Sequence, residues 1–466
     1  MSFSDKYANF YKRILPSPFA IAIVLTLFTF VLAILITKPE DVGLGSYSLK
    51  LAGDWEAGLW KEGAGGLYFA FQMMLMLVLG HILALSKPAS FLIDKLTATC
   101  TNTANSAFII TFSTILVSLF NWGLGLIFGA ILARKLGEKF ARENKPFNYG
   151  LIGAAAYSGL MVWHGGISGS APIKAADPGN LQSLVKDMPN VDLATIPDRI
   201  DMSTTIFSPM NIVVTLMLLI ILPTVLYYIG KRSEKQFTLP KQFIETESKA
   251  EQIDTVGAEQ IDQSKIFAIF FGSLIIFYAL YKAVILPEEL SLSFLTPNFI
   301  NFSLLGLGII CHLNISSFTK AAGNAISGAT GILIQFPLYF GILGIMVGSG
   351  LISEMSSWIE TSSSNTSFPF LTFFSAGLVN VFVPSGGGQW VVQGPIIIAA
   401  AQELGVSYPK AIMALAYGDQ LTNMIQPFWA LPLLGITGLK AKEILPYTLI
   451  LFLLGIVIFS LGLAIF

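Results

Sequence analysis

Charge is scarce in this sequence. Only 12% of its 466 residues are Asp, Glu, Lys or Arg, about half the share of an ordinary soluble chain. So few charges cannot coat the several soluble domains that the length would otherwise suggest. The formal net charge is −1, which supplies no basic field for nucleic acid, and no nucleic-acid motif appears. Two cysteines are too few for a disulfide scaffold. There is no HExxH zinc motif and no Walker A loop. What is abundant is apolar: 54% hydrophobic residues and 36 Phe, with a mean hydropathy of +0.71. Disorder and fibrous repeats are excluded, and an all-α polytopic membrane protein remains, partnered by the lipid bilayer.

Runs near spanning length fall at 18–36, 66–85, 149–164, 207–230, 264–286, 298–312, 328–352, 409–431 and 444–466. Stretches 104–136 and 368–404 are apolar but interrupted by glycine clusters, and they read as re-entrant hairpins. The fold expected is thus about nine full spans plus two hairpins. The first run is too long for a signal core and lacks a small-x-small cleavage site. With the N-terminus in the cytoplasm, the inner loops carry 19 Lys and Arg and the outer loops 8, which satisfies the positive-inside rule. The C-terminus is then outside. Making either hairpin a full span would flip every later loop and spoil that asymmetry. Cys100 and Cys311 fall near the cytoplasmic side and read as ordinary buried thiols. Gly230 to Lys265, the one long charged stretch, reads as a solvated linker.

The two halves resemble each other at a period near 260 residues. Gln72 corresponds to Gln335, Thr111-Phe112 to Thr372-Phe373, Tyr157 to Tyr417 and Pro172 to Pro432. The intervals agree: 39 against 37, 46 against 45, and 15 against 15. Residues 1–230 form a first unit with hairpin 104–136 and broken helix 149–176. Residues 231–297 supply the linker and a linking span, and 298–466 form a second unit with hairpin 368–404 and broken helix 409–437. Four spans return the chain to its starting face, so the extra crossing inverts the second unit. Inverted repeats with broken helices are characteristic of secondary transporters, whose site lies near the midplane. The competing explanation is chance similarity between apolar segments.

Irregular backbone inside a bilayer is tolerated only where protein or a water-filled cavity covers it. Two hairpin tips qualify, Asn121-Trp122-Gly123-Leu124-Gly125 and Pro384-Ser385-Gly386-Gly387-Gly388-Gln389-Trp390. So do two helix breaks, His164-Gly165-Gly166-Ile167-Ser168-Gly169-Ser170 and Asn423-Met424-Ile425-Gln426-Pro427. Glycine lets backbone N–H groups approach a ligand, and helix N-termini after each break suit a carboxylate. Free carbonyls at the preceding helix ends suit a cation instead. The bland reading of the glycines is close helix packing, which is preferred for Gly80, Gly306 and Gly344.

Asp419 is the one carboxylate deep inside an expected span. A charge there is costly, so it is read as facing a cavity and binding H⁺ or Na⁺; the alternative is a structural hydrogen bond to broken-helix backbone. Gln420 follows it, and Asn423 and Gln426 share its helix face for as long as the helix persists. His81 and His312 read as structural, whereas His164 at a break is open to either role. Trp122 and Trp390 flank the two tips, either as the apolar wall of a small-acid pocket or as anchors. The substrate-binding candidates are therefore Asn121, Trp122, Gly123, Gly125, His164, Ser168, Ser170, Ser385, Gly386, Gly387, Gly388, Gln389, Trp390, Asn423 and Gln426, with Asp419 and Gln420 coupling the ion.

Several of these blocks resemble one family closely. They are Asn121-Trp122-Gly123-Leu124-Gly125, Gly165-Gly166-Ile167-Ser168-Gly169-Ser170, Pro178-Gly179-Asn180, Val383-Pro384-Ser385-Gly386-Gly387-Gly388, Tyr417-Gly418-Asp419-Gln420 and Gln426-Pro427-Phe428-Trp429-Ala430-Leu431-Pro432. All are similar to the bacterial short-chain fatty acid transporters, through nearly the whole chain. The resemblance implies uptake of acetoacetate, butyrate and similar small monocarboxylates across the inner membrane, without a bound cofactor. It also implies an architecture similar to the ion-transporter superfamily, with a scaffold domain, often dimeric, and a moving domain built on two hairpins. Three positions depart from the family pattern: Gln389 stands where His is common, Asp419 where Glu is common, and His164 replaces a glycine. The function expected is a cation-coupled carboxylate symporter. A passive channel is the alternative, and an intramembrane aspartyl enzyme would need a second membrane-embedded Asp.

Overall fold

The computed structural model describes residues 17–60, 66–186, 191–233, 257–286, 294, 296–326, 329–354, 363–382, 384–426 and 428–466. Most of the charged linker, the first 16 residues, Val383 and Pro427 lie outside these. Among the described residues the regular structure is helical, with no strand. The first half contains α1 (Pro18–Thr37), α2 (Leu44–Trp60), α3 (Gly66–Leu85), α4 (Lys87–Ala98), α5 (Thr103–Phe120), α6 (Trp122–Arg142), α7 (Tyr149–Tyr157), α8 (Ser170–Ala176), α9 (Asn180–Val185) and α10 (Pro209–Arg232). The second contains α11 (Lys265–Leu280), α12 (Pro297–His312), α13 (Ile315–Ile326), α14 (Thr330–Gly348), α15 (Phe368–Phe382), α16 (Gly386–Glu403), α17 (Tyr408–Thr422), α18 (Leu431–Thr437) and α19 (Ala441–Ile465).

Local sequence explains where many of these helices start. The side chains of Ser17, Asn102, Asn121, Asn148, Ser208, Ser264, Thr296 and Ser385 each accept a hydrogen bond from a backbone N–H of the helix that follows. Each such cap stabilises by about 1 kcal/mol. Five helices are long and apolar enough to cross a membrane: Phe19–Thr37, Thr103–Phe120, Pro209–Arg232, Lys265–Ile285 and Ala441–Ile465. Ala70–Leu85, Asn298–His312, Leu333–Gly348 and Phe368–Phe382 are apolar but shorter. The first arms of the two hairpins therefore differ: α5 belongs to the long class and α15 to the short one. Half of the α5 window is buried by protein, against 17% of the α1 window.

Four helices occupy stretches that the apolar-run reading left as loops: α2, α4, α9 and α13. α9 has only 6 residues, and the other three are amphipathic, so no continuous apolar run marks them. In α2, Tyr47, Leu51, Gly58 and Leu59 are buried, while Lys50 and Asp54 form a surface ion pair at 2.8 Å.

Packing sorts the helices into two groups. α1, α2 and α14 pack together, α14 also meets α3, and α3 packs on α12, which carries α11 and α13. In the second group, α5 packs on α6, α7 and α10, α19 packs on α7, α10 and α17, and α17 packs on α15 and α16. α8 and α9 sit on α16. The second group contains both hairpins and both broken helices. The closest backbone approach in the first group is α2 to α14: a Cβ on Gly344 would lie 2.2 Å from the Asp54 carbonyl oxygen and 3.0 Å from the Gly58 Cα. Neither backbone atom has room to yield. Gly344→Ala is expected to destabilise the purified protein by about 1–3 kcal/mol, seen as a lower thermal midpoint in detergent. Gly53→Ala, with nothing within 4 Å of the new Cβ, should leave the midpoint unchanged or slightly raised.

Candidate functional site

Two helices are interrupted in the interior of the second group. α7 ends at Tyr157 and passes through short 3₁₀ turns, Ser158–Met161 and Trp163–Gly165, before α8 starts at Ser170. α17 ends at Thr422, and α18 starts at Leu431. Backbone groups released at such interruptions must find partners inside the protein. Here each break is served mainly by the other half of the chain. The Tyr157 hydroxyl donates to the carbonyls of Asn423 at 2.9 Å and Gln426 at 3.3 Å. Gln420 Oε1 accepts from the backbone N–H groups of His164 at 2.9 Å and Gly165 at 3.1 Å. Asn423 Nδ2 donates to the Leu160 carbonyl at 3.4 Å. Tyr417 acts at one remove: its hydroxyl donates to Asn211 Oδ1 at 3.0 Å, and Asn211 Nδ2 donates to the Gly165 carbonyl at 2.8 Å.

Each hairpin tip is tied to the break of its own half. At the first tip, the Trp122 N–H donates to Ser168 Oγ at 3.0 Å and the Ile167 N–H to the Leu119 carbonyl at 2.8 Å. At the second, Asn380 Nδ2 reaches the Asp419 carbonyl at 2.8 Å and Asn423 Oδ1 at 3.0 Å. Gln426 Nε2 donates back to the Asn380 carbonyl at 2.7 Å. The second tip meets the first half at Gly386, whose Cβ, if present, would lie 2.7 Å from Trp163 Cη2 and 2.9 Å from His164 Cε1. Only glycine allows the second tip to rest on that stacked Trp163–His164 pair, whose ring centroids are 4.5 Å apart.

The charged centre of the site is His164 with Asp419. Nδ1 lies 2.5 Å from Asp419 Oδ2, and the side chains are 0% and 1% exposed. The other imidazole nitrogen, Nε2, accepts the Ala171 N–H at 3.0 Å. Asp419 Oδ1 is buried with no hydrogen-bond partner, as are Asn380 Oδ1 and Gln426 Oε1. A buried carboxylate with a bare oxygen is unfavourable until a cation meets it. Next to the second tip, Tyr339, Phe340, Leu343, Pro384 and Ser385 line a narrow crevice.

A family model described as "Short chain fatty acid transporter" matches residues 2–466. The chain belongs to the short-chain fatty acid transporter family. It is 36% identical over 462 residues to an Escherichia coli (strain K12) protein named "Putative short-chain fatty acid transporter", covering 98% of both chains. A Haemophilus influenzae protein of the same name is 35% identical over 458 residues, covering 98% of this chain and 97% of that one. The Alcanivorax borkumensis YdaH transporter structure aligns over 97% of this chain and 98% of that one at 16% identity, with a TM-score of 0.43, too loose a likeness to carry an argument. Family membership and the apolar helices together make the chain a membrane transporter, which suggests that it is not an enzyme.

The structure places the candidate residues of this family member unevenly. Asp419, His164, Gln420, Asn423, Gln426, Ser168, Trp122 and Gly386 converge on the crossing described above. Asn121 and Ser385 start the second arms of their hairpins, accepting from the backbone N–H groups of Leu124 at 2.9 Å and Gly388 at 3.2 Å. Gly387 is open, with Ser170 Oγ 3.9 Å from its would-be Cβ, whereas that of Gly388 would meet Ser385 Oγ at 3.1 Å. Gly123 and Gly125 are packing glycines: their Cβ atoms would strike Met76 and Ser118. Gln389 is spent inside the second hairpin, donating to the Ala376 carbonyl at 2.9 Å and to Gln393 at 2.8 Å.

The two tryptophans do not form matching walls. Trp122 lies 4.9 Å from Trp429 and 6.0 Å from Trp163 by ring centroid, in the centre. Trp390 turns to α9, where its indole N–H donates to Asn180 Oδ1 at 3.2 Å. His81 sits beside Arg134 at 3.4 Å and His312 beside the Ile82 carbonyl at 2.8 Å, away from the contacts of the crossing. Sequence reasoning missed Asn211 and Asn380 as site residues and used Tyr157 and Tyr417 only as markers of the repeat. Their signal was polarity within otherwise apolar helices.

Gln420→Leu strips two buried N–H groups of their acceptor, at a cost of about 1–3 kcal/mol each. A clear fall in the thermal midpoint is expected, whereas Gln420→Glu, which keeps an acceptor oxygen, should fall less. Equal midpoints for the leucine variant and the parent would remove Gln420 from the brace.

Proposed function

We propose that this protein imports acetoacetate, butyrate and similar short-chain monocarboxylates by cation-coupled alternating access. One observation carries the reading: a buried carboxylate with a bare oxygen, Asp419 Oδ1, sits where two helix breaks meet two hairpin tips. Broken helices place positive dipole ends toward an anion and free oxygens toward a cation in one small volume. Gly386 and Gly387 open the 18-residue α16, whose first N–H groups point the helix dipole at a carboxylate. With H⁺ or Na⁺ bound, Asp419 is neutralised and no longer repels the incoming carboxylate.

On this reading the two halves are inverted repeats, and the protein has about nine spans and two re-entrant hairpins. It lies in a bacterial inner membrane with its N-terminus in the cytoplasm and its C-terminus in the periplasm. The group formed by α1–α3 and α11–α14 is the scaffold, which also offers the surface for a homodimer. A passive anion channel is the competing reading, and it would show far higher turnover in flux measurements. An aspartyl enzyme is disfavoured because the bonded partner of Asp419 is a histidine, where that chemistry needs a second carboxylate.

Reconstituted protein should accumulate radiolabelled butyrate or acetoacetate under a proton or a Na⁺ gradient, and replacing one gradient by the other identifies the ion. No accumulation under either gradient would sink the proposal. Asp419→Asn should keep substrate exchange while losing at least about tenfold of gradient-driven accumulation. Normal accumulation by that variant would exclude Asp419 from coupling.

A further inference from the structure

The buried His164–Asp419 pair has a fixed protonation pattern, and this assigns separate roles to its two members. A backbone N–H can only donate, so the Ala171 N–H at 3.0 Å makes His164 Nε2 an acceptor. Nε2 therefore carries a lone pair, and the imidazole proton is on Nδ1, pointing at Asp419 Oδ2 2.5 Å away. A second proton on the ring would set two N–H groups against each other and unseat the first turn of α8. The stacked Trp163 ring sets the plane of the imidazole, and the contacts of Nδ1 with Asp419 and of Nε2 with the Ala171 N–H set its direction within that plane. The backbone N–H of His164 is itself held by Gln420 Oε1 at 2.9 Å.

From these contacts we infer that His164 is a positioning residue: it holds Asp419 through Oδ2, and the coupling cation is taken by Asp419 Oδ1 and not by the imidazole. This rests on the proposed role of Asp419 and goes beyond it, because a buried histidine bonded to a carboxylate would otherwise read as a proton relay. No other charge lies beside the pair on the surrounding elements. α17 carries Asp419 and Tyr417, with Lys410 and Tyr408 in its first turn, nine or more residues before Asp419, and α7 runs from Tyr149 to Tyr157. α8 carries Lys174, which is exposed and paired with Asp177 at 2.8 Å. α5 has no titratable side chain, and the one acidic side chain of α16, Glu403, is at its far end. With Oδ2 held by the imidazole, the oxygen of Asp419 left for the cation is Oδ1.

Two measurements test the assignment. The chain has only three histidines, so ¹⁵N-labelled histidine gives a spectrum simple enough to assign by difference against His164→Asn. The expected His164 signature is protonated Nδ1 with unprotonated Nε2. An imidazolium signal from His164, or the opposite tautomer, would overturn the inference, whatever the transport result. The second measurement uses variants in proteoliposomes. Asparagine places an N–H near the position of Nδ1, so His164→Asn should retain gradient-driven accumulation within about threefold. His164→Ala, which releases Asp419, should lose about tenfold or more while still exchanging substrate. Loss of accumulation by His164→Asn to the alanine level would mean that the imidazole itself carries the proton. If the parent protein accumulates no short-chain acid at all, the transport proposal fails, and the labelled spectrum still decides the state of His164.

Discussion

Backbone groups freed where a helix breaks inside a membrane have to be satisfied by protein, and the arrangement around the site follows from how this chain does so. Each unpaired buried N–H or C=O would cost about 1–3 kcal/mol, so two open breaks would be untenable in a marginally stable protein. The solution is reciprocal. The carbonyls of the second break are taken by Tyr157 of the first half, and two N–H groups of the first break are taken by Gln420 of the second. These bonds join residues more than 250 positions apart. Neither break is complete without the other, and the residues that satisfy them also bring His164 to Asp419.

That dependence explains which polar side chains are left for a ligand. Asn121, Ser168, Gln420 and the amide nitrogens of Asn380, Gln389, Asn423 and Gln426 are committed to backbone or to each other. The atoms left bare include the oxygens Asp419 Oδ1, Asn380 Oδ1, Gln389 Oε1 and Gln426 Oε1 and one side-chain donor, the indole N–H of Trp163. Further donors are backbone N–H groups at the start of α16. Acceptors suit a hard cation and helix-start N–H groups suit a carboxylate, so the leftover chemistry has both signs that symport needs.

Much of this frame was legible in the sequence. Glycine clusters and the lone intramembrane Asp419 marked the tips and breaks, because glycine and charge are costly in apolar helices unless something requires them. The partners were not legible. Gln420 looked like an ion ligand because it follows Asp419, yet its side chain turns to the backbone of the other half. Asn211 and Asn380 are single polar residues with no spacing rule to announce them. Trp122 and Trp390 looked equivalent from their distance to the glycines, but α9 supplies Asn180 to one and not to the other. Helices α2, α4 and α13 were missed because half of each is polar, and a search for continuous apolar runs passes over amphipathic segments.

The distribution of bond types then bears on which parts can move under the proposed alternating access. Within the group holding the hairpins and breaks, the connections are directional hydrogen bonds in a buried, low-dielectric setting, where losing one is expensive. Between that group and the scaffold the contacts are largely aromatic and aliphatic. Phe428 stacks on Phe336 at 4.0 Å and meets the Tyr339 ring at 4.8 Å, and Trp429 lies 6.2 Å from Phe336. A long polar contact, Arg134 to His81 at 3.4 Å, also crosses there. Apolar ring contacts are non-directional and can be exchanged for equivalent ones as surfaces slide, whereas the reciprocal braces cannot be traded one at a time. The two breaks and two tips are therefore expected to travel as one body, carrying Asp419 and its cation with them, past the aromatic face of α14.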